Sequence, residues 1–164
     1  MKNIVEQQEF RNKMLQPIFF KLFLLFKLPM AFLSGMKLKE FSTTHTLVHM
    51  RYSFLNKNPF GSIYFACLSM AGELASGMLA AAVVYKSIPK VSMLVVGMEV
   101  EFMKKAIGLI TFRCNQGEAL ADTIQKSIAT GEGQTFEAIT IATDEHDTQI
   151  AIFKINWSFK VKQV

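Results

Sequence analysis

The sequence predicts an α+β fold in which one curved antiparallel sheet of about six strands wraps a single long helix. Three observations predict it. Residues 58–86, NPFGSIYFACLSMAGELASGMLAAAVVYK, read as a turn running into one nearly all-apolar helix. Between Ile63 and Val84 that helix carries one charge, Glu73, so most of its circumference must be buried. Two strand-like stretches precede it, and four follow with a short polar helix among them.

Residues 1–13 are polar and can start a helix. Residues 14–33, MLQPIFFKLFLLFKLPMAFL, are strongly apolar but interrupted by Pro17, Lys21, Lys27 and Pro29. Their charge-free runs fall short of the ~20 residues that a membrane span needs. Nor do they have the small-residue cleavage site of a signal peptide. They predict a short amphipathic helix that packs on the domain or on a partner chain. Contact with a membrane surface is the alternative. Residues 1–33 thus form an N-terminal helical segment of a single domain spanning 1–164.

Residues 36–41 predict a short strand. In 44–54, Thr46, Val48, Met50, Tyr52 and Phe54 alternate with Leu47, His49, Arg51 and Ser53, the two-residue period of a strand. Asn58 suits a helix cap and Pro59 a first helical position, with Gly61 and Ser62 a second possible start. Ala66, Ser69, Ser76, Gly77 and Ala80 share the face of Glu73, so another backbone can approach it closely. After Pro89, residues 92–103 read as a Val- and Met-rich strand, 104–108 as a bend and 109–114 as another strand. Residues 118–130 form an amphipathic helix ended by Gly131. Residues 134–144 and 148–160 are a closing hairpin joined at Asp144–Asp147.

A chain of 164 residues, 51% hydrophobic, can bury a proper core as one domain. The net charge of +5 favours anionic partners such as phosphorylated cofactors or acidic membrane surfaces. No block of five like charges occurs, so nucleic acid is not expected as a partner. Cys67 and Cys114 sit in apolar runs and predict two buried thiols rather than a disulfide or a metal site. No metal is expected. A cytoplasmic location fits these thiols and the lack of a signal peptide.

With its element order, the chain resembles the hotdog-fold acyl-CoA thioesterase superfamily. Three stretches carry the resemblance: NPFGSIYF at 58–65 entering the central helix, MEVEFMKKAIGLITF at 98–112, and the closing hairpin. The phrase NPFGSIYFACLSMAGELASG most resembles an uncharacterised, thioesterase-like branch. The likeness covers roughly residues 14–160. It implies a homodimer or a dimer of dimers. It also implies a small-molecule acyl thioester as substrate, with coenzyme A present only as part of that substrate and no other cofactor. Two departures stand out. Where the family has a His-Gly-Gly turn, this chain has Phe60-Gly61-Ser62. The family's catalytic acid, counted seven residues on, falls on Ser69, and Glu73 comes one turn later. The hotdog dehydratases use a His paired with a carboxylate; His45, His49 and His146 match none of their motifs, so dehydration is not expected.

Thioester hydrolysis needs a water activated by a base and donors aimed at the developing oxyanion. Glu73 is the candidate base, since burial raises a carboxyl's proton affinity. Ser69 can hold a water or act as nucleophile. Asn58, Gly61 and Ser62 stand where helix-terminal amides would bind the thioester oxygen. Lys104 and Lys105 can meet the phosphates of coenzyme A. Against each role stands a plain one: Glu73 bonded to backbone or Arg51, His49 and Arg51 facing solvent, Lys104 and Lys105 a solvated bend, the ten methionines core filling. The sequence thus supports a thioesterase or a non-catalytic acyl-chain or lipid-binding protein, with a peripheral membrane protein using residues 14–33 as a third reading.

Overall fold

Proline placement sets the path of the N-terminal segment. A computed structural model describes residues 2–162. In it α1 (Lys2–Leu15), α2 (Pro17–Lys27) and α3 (Pro29–Leu33) follow one another closely. The single short helix expected over 14–33 is therefore corrected. Pro17 and Pro29 open new helices, because proline's fixed φ fits a first helical position and its missing N–H goes unused there. α2 buries only Phe20 and Leu24.

The strands β1 (Lys37–Phe41) and β2 (Thr46–Arg51) pair antiparallel. β2 is shorter than the stretch 44–54 that its alternation suggests. Asn56 ends it: its side chain donates to Arg51 O at 2.9 Å and accepts from the Ser53 N–H at 2.8 Å, curling the chain into a turn. The long helix α4 spans Phe65–Val84. β3 (Val91–Phe102), β4 (Leu109–Cys114), α5 (Gly117–Thr130), β5 (Gln134–Thr143) and β6 (Gln149–Val161) complete the chain. The sheet runs β1-β2-β4-β5-β6-β3, with every paired neighbour antiparallel. β3 and β1 are its edges.

α4 lies against the sheet through its smallest residues. A Cβ on Gly72 would stand 2.6 Å from Phe153 Cγ. Trp157 Nε1–H donates to Ser76 Oγ at 3.0 Å, and Thr140 Oγ1–H donates to Gly72 O at 3.0 Å. These bonds tie the helix to β5 and β6 as well as packing it there. Among the described residues α4 alone is long and apolar enough to cross a membrane, yet most of it is buried inside the protein. Cys67 and Cys114 are buried free thiols. α5 ends at Gly131, whose φ of +74° gives the left-handed turn that glycine adopts without strain.

The start of α4 differs from the sequence reading by several residues. Asn58, Pro59, Gly61 and Ser62 all precede the helix. The loop around them is held by its own side chains and by distant backbone. Asn58 Oδ1 accepts from the N–H of Phe60 at 3.0 Å and of Ser62 at 3.2 Å. Gly61 has a φ of +74°. Ile63 N–H donates to Ala106 O at 2.9 Å and Tyr64 N–H to Asn56 O at 2.8 Å. Only beyond Tyr64 is the chain free to coil, and no side chain caps the helix there.

Candidate functional site

The side of α4 turned away from the sheet is incompletely covered. Ala66, Ser69, Met70, Glu73, Ala81 and Val84 are its half-buried positions, whereas the rest of the helix beyond Phe65 is buried. Their spacing of three and four residues makes one stripe. Glu73 stands in the middle of it.

The carboxyl of Glu73 lies over Gly77 and beside the Trp157 ring. Added to Gly77, a Cβ would be 3.0 Å from Glu73 Oε1 and 3.2 Å from Trp157 Cζ2. Gly77 thus leaves room for the carboxyl to lie back along the helix. No hydrogen bond or ion pair reaches that carboxyl among the described residues. Arg51, one partner suggested for it, pairs instead with Glu145 at 3.2 Å on the exposed surface. Burial without compensating donors disfavours the ionised form and raises the Glu73 pKa to about 7. The carboxyl borders a cavity of about 230 Å³ lined by Met70, Leu74, Leu28, Met30 and Ala31, with Lys27 at its side. This is an apolar chamber with one acid, closed on one side by the junction of α2 and α3.

Ser69 sits one turn before Glu73 on the stripe, and its hydroxyl donates to Phe65 O at 3.0 Å. Among the described residues no histidine or carboxylate is hydrogen-bonded to it to activate it as a nucleophile. The other predicted residues gather elsewhere. Asn58, Ser62, Lys104 and Lys105, with Phe65 and Phe102, line a groove of about 570 Å³ at the start of α4. The N–H groups of Gly61 and Ser62 are turned inward to Asn58, onto its O at 3.3 Å and its Oδ1 at 3.2 Å respectively. Their place as helix-terminal donors falls to Phe65 and Ala66, the first two residues of α4, which the sequence reading did not single out. Lys104 pairs with Asp144 at 3.1 Å, and Lys105 donates to Phe60 O at 3.2 Å. Both lysines thus hold the groove wall while their exposed side chains remain within reach of an anion.

The single chain therefore separates acid from donors. Glu73 is eight residues beyond Phe65, about 12 Å along the helix at 1.5 Å per residue. His49 is half-buried in a third concavity with Lys37, Lys39 and Arg51. Burial, then the nearby lysines, lowers its pKa and favours the neutral imidazole. Among the described residues no three His, Cys, Asp or Glu side chains gather closely enough to hold a metal ion.

A family model described as a domain of unknown function, DUF4442, matches residues 18–159. No curated protein matches the chain. Solved structures do. A protein of unknown function from Pseudomonas aeruginosa, described as a probable thioesterase, superposes with a TM-score of 0.75 at 17% identity, over 89% of this chain and 97% of that one. A protein of unknown function from Chlorobaculum tepidum gives 0.73 at 12% identity, over 87% and 92%. A thioesterase from Haemophilus influenzae gives 0.61 at 12% identity, over 87% and 90%. This chain shares its fold with these structures, the hotdog fold expected from the residues at 58–65 and 98–112.

Proposed function

The chain belongs to the DUF4442 family, and we propose that it is a thioesterase acting on acyl-CoA or acyl-carrier thioesters. One observation carries the reading: Glu73 is an unpaired carboxyl with a pKa of about 7, set in the wall of an apolar cavity. A general base works best when its pKa lies near the working pH. Here half the carboxyls are ionised at neutrality, and desolvation makes each ionised one a stronger proton acceptor. In the proposed mechanism Glu73 takes a proton from water, which attacks the thioester carbonyl. Met70 and Leu74 hold the acyl chain. The amides of Phe65 and Ala66 receive the negative charge on oxygen, and the thiol leaves with the proton returned by Glu73.

Because acid and donors are about 12 Å apart along one helix, the reaction calls for two copies of the chain. β3 is a long edge strand whose other side pairs with β6. A two-fold axis through paired β3 edges reverses one α4 against the other. In the proposed dimer each helix start faces the partner's half-covered stripe. The proposed enzyme is a homodimer with two shared sites.

Glu73→Gln tests the mechanism, since it keeps the shape and removes the base. Hydrolysis of a panel of acyl-CoA esters should fall by ~10²- to 10⁴-fold, with binding of a fluorescent acyl probe retained. Hydrolysis unchanged in the variant would reject Glu73 as base. A second reading has its own support. Ser69 is bonded to its own helix and no histidine lies in the cavity. On that reading the protein binds acyl chains without cleaving them, and the wild type shows no turnover above background while still binding the probe.

A further inference from the structure

α2 presents the wrong face to water. A surface helix ordinarily buries one apolar stripe and turns polar residues outward. α2 buries Phe20 and Leu24, yet its outward side is Ile18, Leu22, Leu25 and Phe26, at the spacing of one helical face. Ile18 is 73% and Phe26 75% exposed. Met30 and Leu33 of α3 continue the exposed apolar surface. A contiguous patch of this kind on a folded chain marks a docking site.

The charge around it is equally one-sided. Of the 18 Lys and Arg residues, six fall between residues 10 and 39, where no Asp or Glu occurs. The other residues carry 12 basic groups against 13 acidic ones, so this segment holds the whole positive excess. Arg11 is buried, but Lys13, Lys21, Lys27, Lys37 and Lys39 are exposed. Lys21 borders the apolar face of α2, and Lys27 ends the helix beside the cavity at Glu73.

We infer that the outward face of α2 and α3 docks on an anionic lipid surface, its apolar side chains in the acyl boundary and its lysines among the headgroup phosphates. A second copy of the chain fits the face less well. Self-association through a two-fold would set lysines against lysines, with no carboxylate in the segment to pair them. An anionic membrane supplies both an apolar layer and the opposite charge. In this pose the α2–α3 junction, whose Leu28 and Met30 line the cavity beside Glu73, meets the acyl layer. On the thioesterase reading, and resting on it, the substrate class is then a long-chain acyl thioester that partitions into membranes. The docking itself does not depend on catalysis.

The test is flotation of the full chain with vesicles. It should float with phosphatidylcholine vesicles containing phosphatidylglycerol and not with phosphatidylcholine alone, and binding should weaken in salt. Lys21→Glu with Lys27→Glu should lower partitioning by at least about 25-fold, since each surface cation contributes about fivefold. Leu22→Glu with Phe26→Glu should abolish it. Circular dichroism checks that both variants fold; if the second does not, the charge reversal decides. Wild type that fails to float would overturn the proposal, as would equal binding to neutral vesicles or variants that float like wild type. A Leu22→Glu/Phe26→Glu variant that drops from dimer to monomer, with no vesicle binding by wild type, would assign the face to a second copy.

Discussion

Gly72 lies directly against the ring of Phe153, so close that a Cβ would come within 2.6 Å of Cγ and 2.8 Å of Cδ1. The ring cannot easily move. Phe153 is fully buried and packs on Phe102 and Phe112, with ring centroids 6.0 and 5.9 Å away. Gly72→Ala should gain about 1 kcal/mol of helix propensity and lose roughly 1–3 kcal/mol to overpacking. The contact is too short for the smaller loss, so net destabilisation is expected as a lower urea midpoint. Adding Phe153→Leu should recover part of it. A Gly72→Ala protein more stable than wild type would contradict the packing described.

Ser76 is the only hydrogen-bond partner of the Trp157 indole N–H among the described residues, at 3.0 Å. Ser76→Ala leaves a buried N–H unsatisfied, which costs about 1–3 kcal/mol. Tryptophan fluorescence follows the change cleanly, because Trp157 is the single tryptophan of the chain. Chemical denaturation followed by that emission should show the loss, whereas Ser76→Thr, which keeps the hydroxyl, should lose less.

Glu73 gives stability a pH dependence of definite sign. Its folded pKa is about 7 against an ordinary 4.5, so the folded state holds the proton more tightly than the unfolded state. The stability that comes with it is fully present below pH 4.5 and is lost as pH rises through about 7. Glu73→Gln removes this loss. At pH 8 the variant should be more stable than wild type, on the order of 2 kcal/mol, and near pH 4 the two should converge. Thermal melts across that range check it. The wild-type hydrolysis rate, by contrast, should rise through neutrality as the base ionises, so activity and stability should move oppositely with pH.

The edge of β3 bears Leu94, Val96 and Met98, all exposed. Light scattering at micromolar concentration should give at least twice the 18.5 kDa of one chain. Leu94→Lys with Val96→Glu should return it to the monomer mass and reduce hydrolysis, because each proposed site draws on two copies. A wild-type mass of one chain would remove the shared-site mechanism.

The period-two and period-three-to-four patterns made most elements legible in the sequence. Strand ends and helix starts were less so, since distant groups set them. Asn58-Pro59 has the local chemistry of a helix start, but Ala106 O and Asn56 O capture the next amides and delay the helix to Phe65. The same offset explains the position of the acid. Seven residues on from Ser62 is Ser69, whereas seven on from Phe65 is Gly72, next to Glu73. Glu73 itself was legible as the one charge in an apolar helix. Its lack of a partner was not, because only the folded chain shows that Arg51 is taken by Glu145. The separation of Glu73 from Lys104 and Lys105 was likewise invisible, since it follows from which side of α4 each loop meets.

The strand order has a consequence for how the chain is made. β3 joins the sheet only through β6, which is synthesised some fifty residues later, counting Phe102 to Gln149. Until β6 leaves the ribosome, a twelve-residue strand rich in Val and Met has both edges open. The nascent chain is therefore most exposed to aggregation late in its synthesis, and chaperone dependence should be concentrated there.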